Sequence, residues 1–83
     1  APRLYRLLRG VQKQVLEGAH DYQRIELEAM AELARCGWRP DYIAVRRQAD
    51  LQPPEDGERE LVVVAAARIG RTRLIDNVEI LRD

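Results

Sequence analysis

The length, composition and charge of the chain limit it to one small domain. Its 83 residues are 46% hydrophobic and 34% charged, a composition typical of a globular rather than a disordered chain. Its 14 basic and 14 acidic residues cancel, whereas proteins that bind nucleic acids usually carry a basic excess. The single cysteine excludes an internal disulfide and favours a reducing, cytoplasmic compartment, and no apolar stretch approaches the roughly 18 residues of a membrane span.

Two amphipathic helices are predicted in the first half of the chain. The first is expected to begin near Pro2 and to stop at Gly18. The second is expected to begin at Asp21, a plausible N-cap, and to end at Gly37. Apolar residues recur at the helical i, i+3, i+4 spacing in the first helix at Leu4, Leu7, Leu8, Val11 and Val15, and in the second at Tyr22, Ile25, Ala29, Met30 and Leu33.

Three strands are predicted in the second half. Residues 42–47 alternate in a strand pattern, and we expect Ile43 and Val45 to face the helices. A polar loop follows over residues 48–59. Residues 61–67 form an unbroken apolar run typical of a strand covered on both faces. Gly70 then marks a tight turn into a third strand, so that the last two strands make a hairpin.

These elements predict an α+β fold, in which two N-terminal helices pack on one face of a three-stranded, mainly antiparallel sheet. The pattern predicts the hairpin but leaves open where the strand that begins at Tyr42 lies. Because residues 61–67 are apolar on both parities, neither face of the central strand suits bare water. The second sheet face is therefore expected to pack against something outside the chain.

Few residues could support catalysis. His20 is interpreted as a surface or capping histidine and Cys36 as a small, half-buried apolar residue. Glu28 and Glu32 share a helix face, but no second class of ligand accompanies them, so they are interpreted as solvated charges and no metal site is predicted.

A polar group of three residues, Arg73, Asp76 and Asn77, stands out in the last predicted strand. Asp76 shares its parity with Leu74 and Val78, so its carboxylate should point to the side that they bury and should need a partner. The group is predicted to be either a structural ion-pair and turn network, which we favour, or a contact to a ligand or a neighbouring domain. No catalytic, cofactor-binding or metal-binding residue is assigned in this chain.

The sequence resembles the C-terminal end of pantothenate synthetases over nearly its whole length. The resemblance lies in the Ala-Ala-Ala run, the Gly-centred turn and the block Thr-Arg-Leu-Ile-Asp-Asn, and continues upstream through residues 37–43 and 1–5. It implies a small lid-like C-terminal domain, residues 1–83, without the N-terminal Rossmann-like domain in which the family carries its His-x-Gly-His nucleotide motif. Neither that motif nor the family's Ser-Ser-Arg segment occurs in this chain.

The resemblance also implies an activity for the full-length protein. Members of the family are ligases that condense pantoate with β-alanine, using ATP and, we expect, magnesium, through a pantoyl-adenylate, a step of the coenzyme A pathway. The partner implied for this chain is the N-terminal catalytic domain of the same protein, with a homodimer of the full-length enzyme as a further expectation, and the 83-residue chain alone is expected to be inactive.

Two other functions remain alternatives. The chain could be a stand-alone binding or oligomerisation module whose apolar sheet face pairs with a second copy. It could also bind nucleic acid through Arg3, Arg6, Arg9 and Lys13 of the first helix, although the net charge of zero makes this the least favoured hypothesis.

Overall fold

The computed structural model describes residues 2–55 and 57–82. Two helices precede three strands, in the order α1 (Pro2–Leu16), α2 (Tyr22–Arg35), β1 (Arg39–Arg47), β2 (Glu60–Ile69) and β3 (Thr72–Leu81). The strands form one antiparallel sheet in the order β1-β2-β3. The predicted α+β class is confirmed. β1 is thereby located at the sheet edge beside β2, a position that the sequence left open.

Both helices lie on the same face of the sheet. α1 packs mainly on β3 and α2 on β1. The core between the layers combines the two helical stripes with alternate residues of β2, namely Leu61, Val63, Ala65 and Ala67. Ile43 and Val45 also face this core, as predicted. The backbone N–H of Val45 donates to the Glu26 carboxylate of α2 at 2.8 Å, which ties the helix to the strand.

The ends of α2 follow from local chemistry. Asp21 is the N-cap, and its carboxylate accepts from the backbone N–H of Arg24 at 3.2 Å. At the other end the N–H of Trp38 donates to Leu33 O and that of Gly37 to Ala34 O, at 3.0 and 3.1 Å. This pair of bonds is a Schellman motif.

Gly37 is expected to contribute measurably to stability because its φ of 87° lies in the left-handed region. Replacement by alanine should lower the free energy of unfolding by about 1–2 kcal/mol. Gly10 is the matched control, since it lies exposed in α1 with nothing within 4 Å of an added Cβ. Gly10→Ala should raise the free energy of unfolding by about 0.5–1 kcal/mol. Urea unfolding followed by circular dichroism measures both, and two changes of the same sign would contradict the assignment.

β1 begins three residues earlier than predicted, at Arg39 instead of Tyr42. Arg39 pairs with Arg68 and Pro40 with Ala67, after which the register shifts so that Tyr42 pairs with Ala66. Asp41 is the additional residue of this bulge. The prediction missed the segment because proline is a poor strand former in general, yet it is tolerated in an edge strand where no partner needs its N–H.

The hairpin of β2 and β3 has a two-residue turn of Gly70 and Arg71, since Ile69 pairs with Thr72. Gly70 has a φ of 59°, and a glycine with positive φ at the first turn position is the preference of a type II′ hairpin. The predicted turn is confirmed. The turn fixes the register of β3 against β2. The register in turn determines which β3 side chains point to the helices and which point to the opposite face of the sheet.

Candidate functional site

Among the described residues, no helix packs on the sheet face away from α1 and α2. Its residues follow from the register, because directly paired residues point to the same side. We call it the open sheet face. It consists of Tyr42, Ala44 and Arg46 of β1, Val62, Val64 and Ala66 of β2, and Ile75, Asn77 and Glu79 of β3.

The middle of the open sheet face is apolar. One row across the strands is formed by Tyr42, Ala66 and Ile75. Tyr42 is 41% exposed and Ile75 66% exposed, whereas Ala66 between them is fully buried. Its burial without a helix above it follows from its size, because the two larger neighbours shield a side chain of one carbon. The face therefore has small apolar side chains along β2, which we call its floor, and larger side chains on β1 and β3 at either side.

The end of this face next to the hairpin turn is strongly basic. Arg39 pairs with Arg68, and Arg68 pairs with Arg73, so one arginine of each strand lies in a single row. We call these three residues the arginine row. Arg68 and Arg73 remain 59% and 47% exposed. Like charges in directly opposite positions repel, so such a row is not explained by the stability of the sheet.

Asp41 is the acidic residue beside the arginine row. Its Oδ2 accepts from Arg73 Nε at 3.0 Å and lies 3.9 Å from Arg68 Nε. It can reach both arginines because it is the additional residue of the β1 bulge, and bulges re-aim side chains out of the regular alternation. One carboxylate therefore accepts a hydrogen bond from Arg73 and lies within ion-pair distance of Arg68.

The structure distributes the predicted group of Arg73, Asp76 and Asn77 over two surroundings. Arg73 belongs to the arginine row. Asp76 is half-buried on the helix side, in phase with Leu74 and Val78, and its Oδ1 accepts from the backbone N–H of Asn77 at 2.8 Å. The Asn77 side chain lies on the open sheet face. The role of the three residues as a structural or interdomain cluster stays a prediction.

Sequence reasoning found Arg73 but missed Asp41, Arg39 and Arg68. Their grouping depends on the strand pairing and on the bulge, neither of which a pattern within one strand reveals. One signal was available in the sequence. Arg68 and Arg73 lie at equal distances on either side of the predicted turn, and residues in such positions pair when the hairpin has a two-residue turn.

A second charged cluster joins β1 to the following loop. Arg47 donates to the Asp50 carboxylate, with Nε to Oδ1 at 3.0 Å, and its Nη1 lies 3.5 Å from Glu55 and 3.3 Å from Glu58. The hydrogen bond from Arg47, with a second from the backbone of Gln52, holds the pKa of Asp50 below its ordinary value. The same hydrogen bond raises the pKa of Arg47. Every member has a partner, so this cluster orders the loop.

A cleft of about 500 Å³ lies between the start of α1 and the end of α2. Cys36 lines it, and its Sγ accepts from Arg3 Nη1 at 3.3 Å. The prediction that Cys36 is half-buried is wrong. It is exposed because it is the C-cap of α2, where the side chain leaves the packed stripe.

The remaining candidates have ordinary surface roles. His20 is exposed, as predicted, and its Nδ1 lies 3.5 Å from Arg82 Nη2. Glu28 pairs with Arg24, and Glu32 pairs with Arg35. Within residues 2–55 and 57–82, no three His, Cys, Asp or Glu side chains lie together as metal ligands would. None of the helices described is both long and apolar enough to cross a membrane.

Comparison with known proteins gives concordant matches. The family model described as pantoate-beta-alanine ligase matches residues 1–79. The pantothenate synthetase of Laribacter hongkongensis is 50% identical over 82 residues, which is 99% of this chain and 30% of the relative. That of Chromobacterium violaceum is 48% identical over 82 residues, again 99% and 30%.

A solved structure agrees with the fold. The pantothenate synthetase of Thermus thermophilus superimposes with a TM-score of 0.78 and 31% sequence identity, over 98% of this chain and 29% of that chain. The chain thus spans about three tenths of the length of the relatives it matches.

Proposed function

This chain belongs to the pantoate-beta-alanine ligase family, and we propose that it is the C-terminal lid domain of an enzyme that joins pantoate to β-alanine. The observation that carries the proposal is the pattern of coverage. Relatives match 99% of this chain but only 30% of their own length. A domain that occupies so small a share of an enzyme acts together with the remainder.

The proposed reaction uses ATP to form a pantoyl-adenylate, which β-alanine then attacks, with release of AMP and pyrophosphate. In this proposal the remainder of the enzyme carries the catalytic groups and the main site for ATP and magnesium, as the family resemblance implies. The isolated chain should therefore be inactive. A homodimer of the full-length enzyme and a cytoplasmic location are further proposals, the latter supported by the single cysteine.

The open sheet face is the surface that we propose to dock on the catalytic part of the same protein. It is supported by its apolar centre, since Tyr42 and Ile75 present large exposed side chains beside a small-residue floor. Contiguous apolar surface of this kind marks an interaction site. The proposed occupant is the remaining seven tenths or so of the enzyme, the length by which the relatives exceed this chain.

A docked lid would act by excluding water. An acyl-adenylate is hydrolysable, so closing a dry surface over it protects the intermediate until the amine attacks. The small apolar residues Ala44, Val64 and Ala66 offer no hydrogen-bonding side chain that could retain water at the centre of the face. In this proposal the chain orients and shields, and the catalytic groups come from the other domain.

A chimeric enzyme tests the proposal. The matching segment of the Laribacter hongkongensis enzyme is replaced by this chain, and ATP-dependent pantothenate formation is measured beside the same enzyme lacking the segment. We expect the chimera to be active and the truncated enzyme to lose about a hundredfold or more in kcat/KM. A folded chimera no more active than the truncated enzyme would refute the lid role, and turnover by the 83-residue chain alone would refute its predicted inactivity.

A further inference from the structure

We propose that the arginine row, Arg39, Arg68 and Arg73, is a binding site for a diphosphate or triphosphate group. The identity of the natural ligand, which we take to be ATP or the pyrophosphate released from it, rests on the proposed function. The argument for the site itself depends only on the strand register and on the charges of these residues.

The charge balance of the row is the first argument. Three arginines occupy directly opposite positions of three strands, where like charges cost stability. Among the described residues, Asp41 is the carboxylate within ion-pair distance of the row, and it contacts only Arg68 and Arg73. The row therefore keeps an excess of two positive charges over Asp41, and an anionic ligand would neutralise that excess.

The donors left available are the second argument. Asp41 accepts a hydrogen bond from Arg73 Nε and lies near Arg68 Nε, so these contacts leave the terminal Nη groups of both arginines for another acceptor. Guanidinium forks match the spacing of phosphate oxygens and bind them with two parallel hydrogen bonds. The hydrogen bond that Arg73 donates to Asp41 restrains the Arg73 side chain without occupying its Nη groups, which lowers the cost of ordering that side chain around a ligand.

The dimensions of the row favour a chain of phosphates over a single one. Neighbouring strands lie about 4.8 Å apart, so the three arginines span roughly 10 Å between the outer strands. A monophosphate can meet one or two of them, whereas a diphosphate or triphosphate can contact arginines of successive strands. Pyrophosphate and ATP should therefore bind more tightly than phosphate or AMP.

The location connects the site with the open sheet face. The row formed by Tyr42, Ala66 and Ile75 is the next one along the strands, so a surface docked on the apolar centre would place the arginine row at its margin. A site at that margin would meet a phosphate group held in the closed enzyme, while the apolar part excludes water.

The test is a titration of the ¹⁵N-labelled 83-residue chain with inorganic pyrophosphate, ATP, AMP and sulfate at constant ionic strength. We expect amide shifts confined to residues 39–42, 66–69 and 71–74, with pyrophosphate and ATP binding more tightly than AMP and sulfate. Arg68→Gln should weaken pyrophosphate binding about tenfold. Arg24→Gln is the matched control, because Arg24 is an exposed arginine of α2 that pairs with Glu28, and it should leave binding unchanged.

Thermal unfolding separates a binding role from a structural one. Relief of repulsion should leave the Tm of Arg68→Gln equal to that of the parent chain or raise it. A lower Tm with unchanged binding would overturn the proposal and make the row a structural cluster. Equal binding of AMP and pyrophosphate, or equal weakening by Arg24→Gln, would overturn it as well.

The chimeric enzyme distinguishes this inference from the proposed function. If the isolated chain does not bind pyrophosphate while the chimera forms pantothenate, the anion site is refuted and the lid role stands. If Arg68→Gln lowers the kcat of the chimera without changing the KM for ATP, and pyrophosphate does not bind, the row meets carboxylates of the catalytic part, and the phosphate proposal is wrong.

Discussion

Replacing Leu8 by alanine is expected to lower the free energy of unfolding by about 2–5 kcal/mol, the range for large-to-small substitutions in a core. Leu8 lies fully buried in the middle of α1, within the hydrophobic core between the helices and the sheet. A domain of this size has a total stability of only about 4–12 kcal/mol. The substitution should therefore leave a substantial unfolded fraction, measured by urea unfolding with circular dichroism.

Leu27→Ala is the matched control for this experiment. Leu27 lies in α2 and is 61% exposed, so the same truncation removes little packing and should change the free energy of unfolding by less than about 0.5 kcal/mol. Equal losses in the two variants would mean that α1 does not pack on the sheet as described.

Replacing Ile75 by aspartate is expected to reduce the kcat/KM of the chimeric enzyme by about tenfold or more while the chain stays folded. The side chain lies exposed beside Ala66 on the β3 side of the open sheet face, so the charge replaces apolar contact within the proposed interface. Large apolar anchors of an interface can contribute about 2 kcal/mol or more. Pantothenate formation under subsaturating substrate is the measurement.

The free energy of unfolding of the isolated chain should change by only about 1 kcal/mol or less. The new carboxylate points to solvent, so the change reflects only the lower strand propensity of aspartate. Leu27→Asp supplies the control on the helical surface, with nearly the same exposure. Full activity of Ile75→Asp together with a loss for Leu27→Asp would locate the docking surface on the helices and refute the proposed one.

The helices and the hairpin could be predicted because their signals are local. The leucine and valine spacing of α1 matches its buried stripe, and the predicted Asp21 N-cap and Gly37 C-terminal position both form the expected bonds. The apolar run predicted the strand β2, which is confirmed, whereas the covering of its second face by something outside the chain stays a prediction. These features need no knowledge of what lies across the sheet.

The candidate site could be predicted only in part because it is assembled by strand pairing. Within one strand, Arg73 stands beside Asp76 and Asn77 in sequence, and that proximity suggested a common cluster. The pleat sends Asp76 to the helix side and Arg73 to the open side. Its actual neighbours, Asp41 and Arg68, come from two other strands, one of them through a bulge that shifts the register by a residue.

The β1 edge has a further consequence for how the chain associates. An exposed strand edge invites another chain to add a strand, which leads to aggregation. Here Pro40 has no N–H to offer, the bulge at Asp41 breaks the regular ladder, and Glu26 already accepts from the N–H of Val45. Strand addition at β1 is thus opposed over much of its length, so the domain can keep one apolar face free for its partner without polymerising through this edge.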